Sequence, residues 1–277
     1  MKPPLKWVGG KTKLLPELRR LMPTSWGRYH EPFFGGGALF FDVLPEVASI
    51  NDVNVDLIDT YRALVRHTDS VIEMLKEHRD AHKTDADYYY RVRSTWNEDR
   101  YRTNLAVHAA AFIYLNKTCF NGLWRVNLDG KFNVPKGRYK NPSICNERLL
   151  REAAEVLNGK QFFSCDYKRA TEHAVRGDFI YFDPPYVPSS KTSNFTSYNE
   201  GGFGITEQIE LADHARTLAR RGVQVMLSNS NTQIVRELYE GFYLHEVRAP
   251  RAINCKGAGR GKVTELIITS YPSPGEP

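Results

Sequence analysis

An apolar run near residue 180, GDFIYF, ends in Asp183, Pro184, Pro185 and Tyr186. The run reads as a buried strand. It closes on a carboxylate, two prolines that offer carbonyls but no N–H, and a phenol ring. A turn alone needs neither the acid nor the ring. Asp-Pro-Pro is nevertheless a common turn and a tyrosine often caps a core, so by itself the tetrapeptide reads equally well as punctuation or as chemistry.

A second group of residues bears on that choice. In EPFFGGGALFF a strand ends at Phe33, and the chain passes through Phe34, Gly35, Gly36 and Gly37 into a helix beginning at Ala38. Glycines at such a place allow a tight turn and a close approach of backbone to a ligand. Asp52 closes the next strand, in ASINDVN, where an acid bonds ribose hydroxyls in nucleotide-binding folds. Alone, these residues are also a glycine-rich turn and a helix-capping aspartate. The spacing is not GxGxxG and no phosphate-binding lysine follows. A ligand with a ribose but no phosphate fits better, and S-adenosylmethionine is such a ligand. KWVGGK, Lys6 to Lys11, sets Trp7 beside a Gly-Gly turn between two lysines. It is either a staple over the core or a lid on a flat, partly charged ligand.

The elements that must position these groups alternate along the two ends of the chain. Candidate strands are Arg28–Phe33, Val47–Asp52, Gln161–Asp166, Asp178–Asp183, Val223–Asn229, Phe242–Val247 and Thr264–Tyr271. Thr206 is placed to cap a helix running through Arg221 and closed by Gly222, with Ile209, Ala212, Ala215 and Ala219 as its core-facing stripe. Strand and helix in alternation predict an α/β fold with a doubly wound, mostly parallel sheet. Ligands of such sheets sit beyond the carboxyl ends of the strands, which is where Asp183 to Tyr186 would lie. The middle of the chain is helical, and Arg102–Lys117 reads as a core helix in which His108 is structural.

The 277 residues are 41% hydrophobic and 25% charged, with no apolar segment near the roughly 20 residues that span a bilayer and no signal-peptide pattern, so a cytoplasmic protein is expected. Cys119, Cys145, Cys165 and Cys255 are scattered, with no metal-ligand spacing; they read as reduced thiols, and no metal is expected. The net charge of +6 leans towards a polyanionic partner.

KWVGGK, EPFFGGGALFF, IND and FDPPY, in this order, resemble the Dam-type, α-group adenine-specific DNA methyltransferases, and the likeness runs from Leu5 to about Tyr271. The resemblance implies a Rossmann-like, S-adenosylmethionine-dependent sheet with an inserted, mainly helical target recognition domain carrying a β-hairpin. It implies a catalytic domain over 1–56 and 161–277 and target recognition over 57–160. Trp7, Lys11, Phe34, Gly35, Gly36, Gly37, Asp52, Asp166 and Asp183 would then contact the donor. Asp183, Pro184, Pro185 and Tyr186 would be catalytic: the carboxylate and the Pro184 carbonyl accept the two hydrogens of the target amine, and Tyr186 offers a face for stacking. Because the amine lies inside a duplex, the base must be flipped out. A monomer is implied, and a cognate restriction endonuclease encoded nearby is left open as a partner. The same residues also admit a methyltransferase of single-stranded DNA or RNA, or a non-catalytic DNA-binding regulator.

In the middle, LWRVN and KFNVP flank Asp129-Gly130, which predicts a hairpin on a two-residue turn. Basic residues interleaved with aromatics suit phosphate contact and base stacking, though an exposed hairpin with merely solubilising charges has the same composition. FNGLWRVN and FNVPKGRYKNP resemble the recognition hairpin of enzymes that methylate GATC in double-stranded DNA. On that resemblance Arg125 and Lys6 each contact a guanine, Leu123, Pro135 and Tyr139 contact base edges, Phe120 fills space near the vacated base, and Asn121 holds the adjacent backbone. The loop Ser189–Gly204 is either a plain surface loop or, as its position after FDPPY suggests, a closure over the flipped base, and Arg248–Lys262 is either a solvated loop or a phosphate clamp.

Overall fold

The computed structural model describes residues 1–188, 203–249 and 263–273. Apart from their end residues, the two loops just named lie outside that range, as do residues 274–277.

Seven strands lie close to where the alternation predicts them: β1 Tyr29–Glu31, β2 Ala48–Asn51, β3 Gln161–Phe163, β4 Phe179–Phe182, β5 Gln224–Ser230, β6 Tyr243–Ala249 and β7 Val263–Thr269. Their order in one sheet is β3-β2-β1-β4-β5-β7-β6. β1 pairs in parallel with β2 and β4, and β4 with β5, whereas β7 runs antiparallel to both β5 and β6. The sheet is therefore mixed and mostly parallel. Every residue of β4 is buried, as a central strand covered on both faces requires.

The helices are α1 Leu15–Leu21, α2 Ala38–Val43, α3 Val55–Arg66, α4 Thr68–Thr84, α5 Tyr88–Asn97, α6 Leu105–Thr118, α7 Glu147–Leu157, α8 Tyr167–Ala170, α9 Ile205–Arg220 and α10 Gln233–Leu238. Among the described residues no helix is long and apolar enough to cross a membrane.

Packing divides the chain into two compact units. The first comprises Met1–Gly10, Gly35–Leu44 and Asp52–Ser164. Its centre is α6, which is buried all round rather than along one stripe. Asn104 starts this helix by accepting from the N–H groups of Ala106 and Val107. His108, expected to be structural, is buried 4.5 Å from the Trp96 ring, with Nε2 3.2 Å from Asp56.

The second unit comprises Lys11–Phe34, Pro45–Asn51 and Cys165–Pro277. One of its cores joins Ile180 and Phe182 of β4, Val225 and Leu227 of β5, and Leu266 and Ile268 of β7 to α9. α9 departs from expectation in two ways. Its cap is Gly204, whose N–H donates to Glu207 at 2.7 Å, so Thr206 lies inside the helix. Its buried face is Leu211, Ala212, Ala215 and Leu218, while Ile209 is exposed. Both stripes satisfy helical spacing and share Ala212 and Ala215, and the one with Leu211 and Leu218 removes more apolar area from water than the one with Ile209 and Ala219.

Candidate functional site

Asp183 follows β4 directly, so a rigid central strand aims it. The Lys11 ammonium lies 2.8 Å from Asp183 Oδ1, and the Ser228 hydroxyl donates to the same oxygen at 3.0 Å. Because Ser228 spends its single proton there, the Tyr181 hydroxyl, 2.8 Å away, must donate to Ser228. Among the described residues Oδ2 has no partner. Burial raises the Asp183 pKa, and the Lys11 charge and the two donors oppose that rise. The result is an oriented carboxylate with one oxygen to offer.

The two prolines differ in use. The Pro185 carbonyl accepts from Gln208 Nε2 at 2.7 Å. Gln208 is in turn held by Asn229, whose Oδ1 accepts from the N–H groups of Val187 and Ser230. Gln208 and Asn229 are fully buried. These amides clamp the turn after Pro184, whose own carbonyl has no partner among the described residues. The Tyr186 hydroxyl donates to Glu265 Oε2 at 2.9 Å, and Lys11 Nζ stands 4.5 Å from the ring centroid.

In the first unit, Asp52 accepts from the Gly35 N–H at 2.8 Å and from the Asn54 N–H at 2.9 Å, one on each oxygen. Burial raises its pKa against those two bonds. Two oriented oxygens with spare lone pairs suit the vicinal hydroxyls of a ribose. The Tyr61 hydroxyl donates to the Gly35 carbonyl at 3.1 Å. Trp7 stacks on Phe112 and covers the glycines: a Cβ on Gly35 would lie 2.5 Å from Trp7 Cδ1, and one on Gly36 3.1 Å from Trp7 Cβ. Gly35 also has φ +48°, a conformation costly for other residues. Gly35→Ala is accordingly expected to destabilise the fold by about 1–2 kcal/mol and to weaken donor binding. Thermal melting and donor titration check this hypothesis, and an unchanged result in both would overturn it.

Trp7 also begins an aromatic column. Phe112 lies 3.9 Å from Trp124, and Trp124 lies 4.5 Å from Phe132, which anchors the predicted hairpin to α6. The hairpin is present, bridged at Val126 and Phe132, but its turn differs from the prediction. The Gly130 N–H bonds the Asn127 carbonyl and the Asn127 N–H bonds the Lys131 carbonyl. Only Gly130, not Asp129, has positive φ. The loop is thus Leu128-Asp129-Gly130, a turn followed by a bulge glycine, which needs one left-handed residue instead of two.

Around this hairpin stand the residues expected to contact DNA. Lys6 is clamped by Asn116, which accepts from its N–H at 2.9 Å and donates to its carbonyl at 2.7 Å. The Lys6 stem lies against Gly122, where a Cβ would come 2.5 Å from Lys6 Cβ, and its ammonium sits 3.9 Å over the Tyr139 ring. Asn121 is left-handed, with φ 54°, and turns the exposed Phe120 outward. The Phe120 N–H bonds the Pro135 carbonyl. Leu123 is half-buried, its carbonyl accepting from Cys119 Sγ. Arg125 is exposed, and its Nε donates to Asn133 at 2.9 Å, leaving the ends of the guanidinium available. Burial and the neighbouring Lys6 charge lower the Lys117 pKa to about 8.

Asp166 is a correction. β3 ends at Phe163, so Asp166 does not close that strand; it is exposed and caps α8 by accepting from the Lys168 N–H at 2.8 Å. A strand-terminal acid and a helix cap look alike in sequence, because Asp serves both. Phe34 is buried and its N–H bonds the Asn51 carbonyl. Ser228, Asn229, Gln208, Glu265 and Asn116 escape a motif reading. A signal exists for the first two: VMLSNS is an apolar strand ending in a polar run that turns out buried. Cys119 is buried, and burial pushes its thiol up to about 11, so it is protonated at neutral pH and a poor nucleophile.

Residues 7–253 match the family model of the D12 class N6 adenine-specific DNA methyltransferases. The chain is 43% identical over 274 residues to a type II methyltransferase of Lactococcus lactis subsp. cremoris, covering 98% of this chain and 96% of the relative. It is 41% identical over 287 residues to a type II methyltransferase of Methanocaldococcus jannaschii, covering 98% and 99%. It is also 36% identical over 271 residues to the DNA adenine methylase of Escherichia coli K12, covering 97% and 95%.

Proposed function

We propose that this chain, which belongs to the D12 class of N6 adenine-specific DNA methyltransferases, uses S-adenosylmethionine to methylate the adenine of GATC in double-stranded DNA. We assign donor binding and transfer to 1–56 and 161–277, a Rossmann-like methyltransferase sheet, and target recognition to the inserted 57–160. The observation that carries the transfer step is the Asp183 carboxylate, oriented through Oδ1 by Lys11 and Ser228.

The donor's sulfonium supplies an electrophilic methyl group. The Asp52 carboxylate fits its ribose, and the glycine loop with no room beyond Trp7 fits a close backbone approach. Trp7, Phe34, Gly35, Gly36, Gly37 and Asp52 would hold it, with Lys11, Asp166 and Asp183 as further contacts. The chain's own task is to make a poor nucleophile reactive. An adenine amine delocalises its lone pair into the ring. Asp183 and the Pro184 carbonyl accept its two hydrogens, which favours a pyramidal nitrogen and frees the lone pair. Proline fixes φ, and the amides of Gln208 and Asn229 hold the next carbonyl, so Pro184 is aimed before the base arrives. As the amine gains positive charge, the adjacent carboxylate stabilises the transition state more than the ground state. Tyr186 supplies the stacking face, worth about 1–3 kcal/mol by analogy with other base–aromatic contacts.

Specificity is assigned to the hairpin. Arg125 suits a guanine because guanidinium pairs bidentately with O6 and N7. Lys6, Phe120, Asn121, Leu123, Pro135 and Tyr139 complete the interface. Methyl-labelled S-adenosylmethionine incubated with a GATC duplex, the same site in single strands, an RNA copy and a duplex lacking GATC tests the whole reading. Label on adenine of the GATC duplex is expected. Label only on single strands or RNA, or equally on the duplex lacking GATC, would overturn the assigned substrate.

A further inference from the structure

We propose that Glu265 is a positioning residue for methyl transfer: its carboxylate holds the Tyr186 hydroxyl and thereby the plane of the ring on which the target adenine stacks. The proposal rests on the reading of Tyr186 as that platform.

Glu265 belongs to β7 and is paired on one side with Ser230 of β5 and on the other with Val247 of β6. A residue bonded into the sheet on both flanks has a fixed backbone, unlike one on a loop. Its Oε2 accepts from the Tyr186 hydroxyl at 2.9 Å. That hydroxyl is the hydrogen-bond partner of the carboxylate among the described residues. A tyrosine ring has two torsions to fix. The Lys11 ammonium, 4.5 Å over the ring, restrains it at the face, and Glu265 restrains it at the tip. A plane held at both places cannot tilt when a base is laid on it.

A half-buried carboxylate opposite a neutral phenol is a poor stabilising device, since it is partly desolvated and, among the described residues, has no cation directly on it. Its chemistry suits the reaction better. A carboxylate accepting the phenolic hydrogen raises the electron density of the ring. The face of an electron-rich ring attracts positive charge, and the adenine acquires positive charge only as the methyl is transferred. The effect of Glu265 therefore belongs in kcat rather than in KM for DNA.

Steady-state kinetics on a GATC duplex with Glu265→Leu, Tyr186→Phe, the double variant and Glu265→Gln tests this. Each of the first two is expected to lower kcat about tenfold, with KM for the duplex changed by less than about twofold. The double variant should be no slower than the slower single, because both remove one bond. Glu265→Gln, which retains an acceptor oxygen, should lie between Glu265→Leu and the unsubstituted enzyme. Unchanged kcat in Glu265→Leu, or losses that multiply to about a hundredfold in the double variant, would overturn the proposal. Tyr186→Phe removes the same bond without touching the sheet, so it decides the matter should Glu265→Leu melt early. Tyr186→Ala separates the two layers of inference. An unchanged rate there would remove the platform itself, whereas a large loss beside intact Tyr186→Phe and Glu265→Leu would remove only the role of Glu265.

Discussion

Asp183→Ala is expected to abolish detectable methyl transfer, a loss of at least about 10³-fold in kcat, while the protein still binds the GATC duplex. On the proposed mechanism the substitution removes one of the two acceptors for the amine and the negative charge beside a nitrogen that becomes cationic. It also takes away the carboxylate that faces the Lys11 ammonium, a side chain only 9% exposed. Asp183→Asn, which keeps an acceptor oxygen but no charge, controls for that and should retain more stability and little activity. Turnover of Asp183→Ala within a few-fold of the unsubstituted enzyme would sink the mechanism. The same pair makes a pH prediction. On the proposed mechanism Asp183 works ionised, and burial raises its pKa while Lys11 lowers it. Lys11→Met takes away the lowering contribution, so the folded-state pKa rises further and the acid limb of the rate profile moves to higher pH. An acid limb that stays in place or moves down would show that Asp183 is not the titrating group.

Arg125→Ala is expected to relax the choice at one base pair by about 1–3 kcal/mol, or roughly five- to 150-fold in relative kcat/KM. The measurement compares GATC with each single-base variant of the site. The structure makes the expectation specific: Arg125 gives Nε to Asn133 and keeps its other nitrogens for a partner, so the guanidinium plane is set before DNA arrives. A loss of the same size on every duplex, with a shallower salt dependence, would instead make Arg125 a phosphate contact. Nothing in the Asp183 result can substitute for this one, since the first concerns transfer and the second the address.

Several corrections share one cause. The stripe along α9, the cap at Gly204, the turn at Leu128–Gly130 and the end of β3 before Asp166 are all places where a short window admits two local solutions of similar free energy. The neighbours that choose between them lie far away in the chain. α9 presents Leu211 and Leu218 inward because the sheet already offers Val225, Leu266 and Ile268 as an apolar face.

By itself the amino-acid sequence determined the strands, the glycine turn into α2 and the chemistry on offer at Asp183 to Tyr186. Each of these is a local property: apolar runs bounded by breakers, residues able to take positive φ, and a carboxylate beside rigid carbonyls. It likewise marked the hairpin, because Gly130 and the flanking alternation are neighbours in the chain. Only the tertiary structure decided which groups act on that chemistry. Lys11 meets Asp183 from near the start of the chain, Ser228 meets it across 45 residues, Gln208 reaches Pro185 across 23, and Glu265 reaches Tyr186 across 79. Hydrogen bonds and ion pairs act over a few ångströms whatever the separation in sequence, so no spacing rule announces them. The tetrapeptide that could have been a simple turn is held in place by residues that, read along the chain, have no relation to it.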